Sequence, residues 1–250
     1  MDEKLYVGAI KLSGEIERDS YLAAIPAIRH LMRIKELRLE KPVTFFVGEN
    51  GTGKSTLLEA VAVAYGFNPE GGSINFRFST EDSHSELWKS LTLVKRDYAS
   101  DGFFLRAESF YNVASNIDQM DRGPSLGGGG IIDSYGGVSL HHRSHGESFL
   151  ALVQNRFSGH GVYLLDEPEA ALSPTRQLTL LCQIHELVKE KSQLLIATHS
   201  PILMAFPGAE IFQFSEDGIQ SVDYRETEHY QVTRRFLEDP GRMLRYLLER

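Results

Sequence analysis

Cysteine is almost absent from this sequence, and so is any long apolar segment. The single cysteine, Cys182, excludes an intramolecular disulfide, which favours a reducing compartment. The most apolar late stretch, residues 194–206, is too short to cross a bilayer. Residues 1–5 are mostly charged and lack the apolar region of a secretory signal. We therefore expect a cytoplasmic protein with no integral membrane segment.

Basic residues are outnumbered by acidic ones, which limits the expected partners. The chain has 26 Lys plus Arg and 34 Asp plus Glu, so its formal net charge is −8. This balance argues against sequence-blind attraction to nucleic acid or anionic membrane, although it leaves room for a local basic patch. With 250 residues and 42% hydrophobic positions, the sequence predicts an ordinary globular protein of one large or two small domains.

Strand-like and helix-like segments alternate along much of the chain, which is typical of an α/β protein. Apolar runs that favour buried strands occupy residues 43–47, 161–165 and 194–197, and other strands are predicted at 5–12, 32–39 and 103–107. Helices are predicted at residues 56–65, 147–157, 174–191 and beyond 232, and a hairpin at 211–224. Pro26 is expected to interrupt any helix between residues 15 and 31.

The strongest functional signal is a phosphate-binding loop at residues 48–55. The segment Gly-Glu-Asn-Gly-Thr-Gly-Lys-Ser matches G-x-x-x-x-G-K-[ST], with a strand-like run before it and a helix-like run after it. Glycines let successive backbone N–H groups point inward, and the helix N-terminus adds positive potential there. Lys54 supplies a charge for the β- and γ-phosphates, and Ser55 an oxygen ligand for Mg²⁺. The predicted nucleotide-binding residues here are Gly48, Glu49, Asn50, Gly51, Thr52, Gly53, Lys54, Ser55 and Thr56.

Two consecutive acidic residues form the second signal. Asp166 and Glu167 follow the apolar run 161–165, and Pro168 then stops the strand. In a parallel sheet, the carboxyl ends of strands are where ligands bind. We expect Asp166 to hold Mg²⁺, directly or through water, and Glu167 to polarise the attacking water. Together with the phosphate loop, this pair predicts a nucleoside triphosphatase.

Two further segments resemble those of the ABC-type ATPases. Ser144-His145-Gly146-Glu147 precedes a helix candidate upstream of the acidic strand, and Thr198-His199-Ser200 follows the next strand. The resemblance implies that Ser144 and Gly146 bind the γ-phosphate across a dimer. It also implies that His199 contacts the γ-phosphate within its own subunit and that residues 169–173 run along the dimer interface. For the metal-side contact that the family's glutamine makes, the nearest counterpart is Glu108.

The signature segment departs from the family pattern in ways that indicate a branch. It reads Arg143-Ser144-His145-Gly146-Glu147, so the usual leading Leu and first Gly are replaced. Glutamate at its last position looks more like the chromosome-maintenance and recombination-repair heads than like transporters. The segment from Asp166 to Pro174 looks most like small stand-alone ATPases near that branch.

The resemblance implies one ABC-type ATPase domain over residues 1–250. Its α/β fold would combine a mainly parallel sheet and flanking helices with an antiparallel β layer. The core is expected at residues 1–66 and 146–250, and a smaller inserted lobe at 67–145. The lobe includes the glycine-rich stretch 123–137, interpreted as a loop or as a lid over a ligand.

Three roles compete at this stage. The first is a Mg²⁺-dependent ATPase that acts as an ATP-driven dimerisation switch, in DNA repair or in defence, on nucleic acid or on a protein partner. The second is the nucleotide-binding subunit of an ABC transporter, against which Glu147 and the altered signature argue. The third is a nucleotide sensor without hydrolysis, against which Glu167 argues. The cofactors implied are ATP and Mg²⁺, and the implied assembly is an ATP-dependent homodimer.

Overall fold

The computed structural model describes residues 4–17, 19–74, 85–107, 110 and 144–248, which form two sheets and flanking helices. The smaller sheet is antiparallel, with β1 in its centre. Its strands are β1 (Val7–Leu12), β2 (Glu36–Arg38) and β5 (Leu91–Lys95). This sheet is the antiparallel layer expected from the N-terminal strands, and it also takes a strand from the segment 67–145.

The larger sheet is parallel at its centre and antiparallel at both edges. Its strands, in spatial order, are β10 (Gly218–Ser221), β9 (Glu210–Ser215), β3 (Val43–Gly48), β8 (Gln193–Ala197), β7 (Gly161–Asp166), β6 (Asp101–Arg106) and β4 (Gly72–Ser73). Strands β3, β8 and β7 are adjacent, so the segments that follow them meet at one edge. The α/β fold with a mainly parallel sheet is thereby confirmed.

Helices cover both faces of the larger sheet, which explains its continuous apolar strands. In β3, Phe45 packs into the core on one face and Phe46 into the core on the other. In β7, Leu165 and Leu164 divide in the same way. The helices are α1 (Tyr21–Ala24), α2 (Pro26–Ile34), α3 (Lys54–Tyr65), α4 (His145–Arg156), α5 (Pro174–Lys189), α6 (Glu228–Glu238) and α7 (Pro240–Leu248).

The helical segment is interrupted just before Pro26, as predicted. Helix α1 ends at Ala24, and Pro26 begins α2, because the first helical position needs no backbone N–H donor. The strand predicted at 32–39 is reduced to Glu36–Arg38, since α2 continues through Ile34. Lys35, with φ 63°, turns the chain from the helix into the strand. Residues 32–34 form the last turn of an amphipathic helix. Over three residues, the polar–apolar pattern of such a helix cannot be distinguished from that of a strand.

Gln193 joins the two sheets through its buried side-chain amide. Its Oε1 accepts hydrogen bonds of 2.8 Å from the backbone N–H groups of Tyr6 and Val7. Its Nε2 donates to the carbonyl oxygen of Val7 at 2.9 Å. One side chain of β8 thus satisfies three backbone groups at the start of β1.

We expect Gln193→Leu to lower the free energy of unfolding by about 3 kcal/mol. Leucine has a similar volume but leaves three buried backbone groups without partners, and each such loss costs about 1–3 kcal/mol, less any relaxation. Urea unfolding followed by circular dichroism measures the change. Gln220→Leu, on the exposed face of edge strand β10, is the matched control and should change stability by under about 0.5 kcal/mol. Equal effects of the two substitutions would contradict the role of Gln193.

Candidate active site

The phosphate loop connects β3 to α3, as its sequence predicts. Gly48 and Gly53 have φ values of 136° and 103°, which side chains rarely adopt. A Cβ at Gly48 would lie 2.1 Å from the carbonyl oxygen of Phe214, and one at Gly53 would lie 2.5 Å from Cγ2 of Ile25. The loop is therefore held between β9 and the start of α2. At both positions, the positive φ and the close contact with neighbouring atoms require glycine.

Lys54 is the first residue of α3 and points back over the loop. Its Nζ donates hydrogen bonds of 2.8 Å to the carbonyl oxygens of Gly48 and Glu49. Thr52 Oγ1 donates to the same Glu49 carbonyl at 2.8 Å. Burial lowers the pKa of Lys54, and the nearby carboxylates of Glu167 and Asp166 act in the opposite direction. A buried ammonium thus lies among backbone groups at a helix N-terminus, where anions bind.

Ser55 and Asp166 meet at the proposed metal position. Ser55 Oγ donates a hydrogen bond of 2.8 Å to Oδ1 of Asp166, which is the last residue of β7. A hydroxyl and a carboxylate are hard oxygen donors of the kind that Mg²⁺ binds, usually with phosphate oxygens and water as its other ligands. The residues present therefore fit a magnesium ion, and the two predicted protein ligands are adjacent.

Arg106 supports Asp166 from the neighbouring strand. The two residues are paired in register between β6 and β7, and Arg106 Nε lies 3.6 Å from Oδ2 of Asp166. The Nη1 atom of Arg106 also contacts Oε2 of Glu59, on α3, at 2.7 Å. The guanidinium thus bridges the acidic strand and the helix of the phosphate loop.

Glu167 points into the site from a left-handed turn. Its φ and ψ are 49° and 50°, and its N–H donates to the carbonyl oxygen of Ala197 at 2.9 Å. The side chain is 37% exposed, and Oε1 lies 3.5 Å from Nε2 of His199. The carboxylate is therefore accessible to water and adjacent to the histidine, as a general base would need to be.

Glu169 orients the backbone that carries His199. It accepts hydrogen bonds from Thr198 Oγ1, at 2.7 Å, and from the backbone N–H of His199. Burial raises the pKa of Glu169, while these hydrogen bonds lower it. The carboxylate of Glu169 is thus occupied by hydrogen bonds from Thr198 and His199. Of the two glutamates, Glu167 is therefore the one that water can reach. Burial, followed by the charge of Lys54, lowers the pKa of His199.

Ser144 and Gly146 lie together at the start of α4. Ser144 Oγ donates to Oε2 of Glu147 at 2.6 Å and accepts from Arg176 Nη1 at 3.3 Å. A Cβ at Gly146 would lie 2.6 Å from the carbonyl oxygen of Ala171 and 2.8 Å from Nη1 of Arg176. The signature segment is thus a capped helix N-terminus that packs closely against the chain that follows Glu167.

Two predicted features lie outside the described residues. These are Glu108, proposed for the metal-side contact, and the glycine-rich stretch 123–137. The remaining predicted residues form two groups. One contains the phosphate loop with Asp166, Glu167 and His199, and the other contains Ser144 and Gly146.

Comparison with known proteins gives matches to two family models, each over part of the chain. A family model described as "AAA domain" matches residues 27–116. A second, described as "AAA domain, putative AbiEii toxin, Type IV TA system", matches residues 138–205. No curated protein matches the chain.

Solved structures with the same fold include ATP-binding cassettes. A nucleotide-free cassette from an ABC transporter has a TM-score of 0.52 at 14% identity, covering 94% of this chain and 96% of that one. An inward-facing metal-chelate type ABC transporter has a TM-score of 0.51 at 14% identity, covering 91% and 88%. The chain has the fold of these ATP-binding cassettes. The SMC head domain from Thermotoga maritima has a TM-score of 0.44 at 14% identity, covering 88% of this chain and 100% of that one.

Three residues at the site, Glu59, Arg106 and His229, have no signal in the sequence. Arg106 contacts both Glu59 and Asp166, and His229 contacts His199 from α6. Each is far along the chain from its partner, and none belongs to a short motif.

Among the helices that the structure describes, none is long and apolar enough to span a bilayer.

Proposed function

We propose that this ABC-type ATPase hydrolyses ATP in the presence of Mg²⁺ and works as an ATP-driven homodimeric switch. The observation that carries the proposal is the convergence of Lys54, Ser55, Asp166, Glu167 and His199 at the carboxyl ends of β3, β7 and β8. These groups supply a phosphate-binding cation, two metal ligands, a base and a hydrogen-bond donor.

Each side chain has a definite part in the reaction. Lys54 and the loop amides bind the phosphates, and Ser55 and Asp166 hold Mg²⁺. Bound Mg²⁺ would neutralise phosphate charge and polarise a phosphoryl oxygen. Glu167 accepts a proton from the attacking water, and His199 donates a hydrogen bond to an oxygen of the γ-phosphate. We place one such site in a single cytoplasmic domain spanning residues 1–250, a location that the single cysteine favours.

The exposed start of α4 supports the proposed dimerisation. Ser144 is exposed at the N-terminus of α4, a position suited to an anion from another subunit. Closing two copies on ATP would bring this helix end to the γ-phosphate of the partner. One subunit would then hold only half of each catalytic site.

Of the two biological roles, defence is proposed in preference to DNA repair. The description of the second matched family as a toxin of a type IV toxin–antitoxin system supports this order. Glu147, which pairs with Arg176 at 2.9 Å, departs from the transporter pattern and argues against a transporter subunit. The accessible carboxylate of Glu167 argues against a sensor without hydrolysis. The partner would be a protein or a nucleic acid.

Light scattering tests the dimer switch. In the Glu167→Gln background, ATP with Mg²⁺ should double the mass. Adding Ser144→Arg should keep the protein monomeric, because the bulky side chain would occupy the place that the partner's γ-phosphate must reach. Single-subunit ATP binding, measured by calorimetry, should survive Ser144→Arg.

Ser221→Arg, on the exposed end of β10, is the matched control and should still dimerise. An ATP-dependent doubling of mass that persists with Ser144→Arg would contradict the model. So would wild-type turnover per subunit that does not depend on protein concentration.

A further inference from the structure

A second histidine contacts His199 from the C-terminal part of the chain. His229 lies in the first turn of α6, and its Nε2 is 3.1 Å from Nδ1 of His199. The ring centroids are 5.2 Å apart. This distance is that of a hydrogen bond, so one of the two facing nitrogens carries a proton and the other does not.

The position of His229 is fixed by the chain that precedes α6. Tyr224 Oη donates to the carbonyl oxygen of Pro201 at 2.9 Å, which ties this segment to the turn that follows His199. Thr227 is buried, and its Oγ1 donates to the carbonyl oxygen of Tyr224 at 2.8 Å. The same Oγ1 accepts from the N–H of Tyr230, and so caps α6. The contact between the two imidazoles therefore rests on an anchored turn.

Glu167 decides the direction of the hydrogen bond between the histidines. Its Oε1 is 3.5 Å from Nε2 of His199, and that nitrogen is buried without a hydrogen bond among the described residues. If His199 carried its single proton on Nδ1, the lone pair of Nε2 would face a carboxylate, which is repulsive. If the proton is on Nε2, the N–H faces the carboxylate favourably, and Nδ1 must then accept from His229.

We propose that His229 is a positioning residue that donates from Nε2 to Nδ1 of His199 and so holds His199 as its Nε2–H tautomer. The donor of His199 then faces Glu167 and, on the proposed function, would bond an anionic oxygen of the γ-phosphate. The functional consequence rests on the proposed ATP hydrolysis, whereas the tautomer does not.

Burial and Lys54 favour the neutral form of both rings, and nearby carboxylates oppose them. Glu167 raises the pKa of His199, while Glu228 and Glu49 raise that of His229. Burial is the largest influence on both rings and lowers the pKa of each, followed by the charge of Lys54. A neutral His199 has one proton to place, which is why a donor on its other nitrogen can select the tautomer.

The test is NMR of the nucleotide-free protein with ¹⁵N-labelled histidine, whose ring-nitrogen shifts distinguish the two tautomers and the imidazolium. His199 is assigned by the signal lost in His199→Gln. We expect Nε2 protonated and Nδ1 unprotonated in the wild type. The same pattern should persist in His229→Gln, whose amide N–H can donate in place of the ring. In His229→Leu the pattern should change to the Nδ1–H form or to a mixture.

A wild-type His199 with its proton on Nδ1, or with both nitrogens protonated, would overturn the proposal. An unchanged Nε2–H signal in His229→Leu would overturn it as well, because His229 would then not set the tautomer. Neither outcome depends on hydrolysis, so the result stands apart from that of the proposed function.

Turnover gives the functional readout. His229→Leu should lower kcat about tenfold, as for other residues that orient a functional histidine, with KM changed less than about twofold. His229→Gln should recover most of this loss. His185→Leu, on the exposed surface of α5, is the matched control. A loss of kcat in the glutamine variant as large as that in the leucine variant would contradict positioning through the hydrogen bond.

Discussion

Lys54→Ala is expected to lower the affinity for ATP by about 10²–10⁴-fold. Lys54 is the charged side chain that the phosphate loop holds in its own interior, with Nζ on the carbonyl oxygens of Gly48 and Glu49. On nucleotide binding, the ammonium would bond oxygens of the β- and γ-phosphates. Hydrogen bonds to charged groups contribute about 1.5–3 kcal/mol each, and each 1.4 kcal/mol is about tenfold in affinity, so two such bonds give the stated range.

The fold should tolerate this change. Alanine is a good helix former, so it suits the first position of α3. Calorimetric titration with ATP and Mg²⁺ measures the affinity, and thermal unfolding checks the fold. Lys189→Ala removes an exposed lysine that pairs with Glu186 on α5, and it should bind ATP as the wild type does. An affinity for ATP within about threefold of the wild type in Lys54→Ala would contradict the phosphate loop as the nucleotide site.

Glu167→Gln should retain ATP binding and lower turnover by about 10²–10⁴-fold, which is the usual contribution of a general base. Glutamine has the same shape but cannot accept the proton of the attacking water. Lys54, Ser55 and Asp166 remain in place, so the affinity for ATP should change little. The accessible position of Glu167 beside His199, compared with the committed carboxylate of Glu169, is the reason for choosing this acid.

Single-turnover kinetics with a phosphate sensor measures the chemical step for this variant. Glu186→Gln, on the surface of α5, is the matched control and should hydrolyse ATP at the wild-type rate. Turnover within a few-fold of the wild type in Glu167→Gln would exclude Glu167 as the base. A large loss in Glu167→Gln that is accompanied by a loss of ATP affinity would instead indicate a binding role.

The sequence predicts the parts of the site that depend on neighbours along the chain. The phosphate loop requires glycines, a lysine and a serine in a fixed order between a strand and a helix. It can therefore be recognised from the sequence alone. Asp166 and Glu167 follow a strand whose apolar run is equally clear. The role of His199, which follows the next buried strand, comes instead from the resemblance to the ABC-type ATPases.

Contacts between distant segments could not be predicted from such patterns. The amide of Gln193 joins β8 to β1, and nothing in the local sequence distinguishes it from an exposed glutamine at the start of a strand. His229 lies 30 positions beyond His199 in a polar segment, where a histidine usually faces water. For Pro26, the difficulty is that proline has two effects. It interrupts a helix from within, but it favours a helix that begins at it, and the local sequence does not say which applies.

The left-handed backbone of Glu167 places a limit on how stable this protein can become while it stays active. A glutamate held at φ 49° costs about 1–2 kcal/mol relative to the right-handed region, whereas asparagine adopts that conformation more readily. Selection for thermal stability alone would therefore favour replacement of Glu167 and would remove the proposed base. In engineering terms, this turn is a point of trade-off between stability and activity, so a library screened only by heating should be filtered for glutamate at this position.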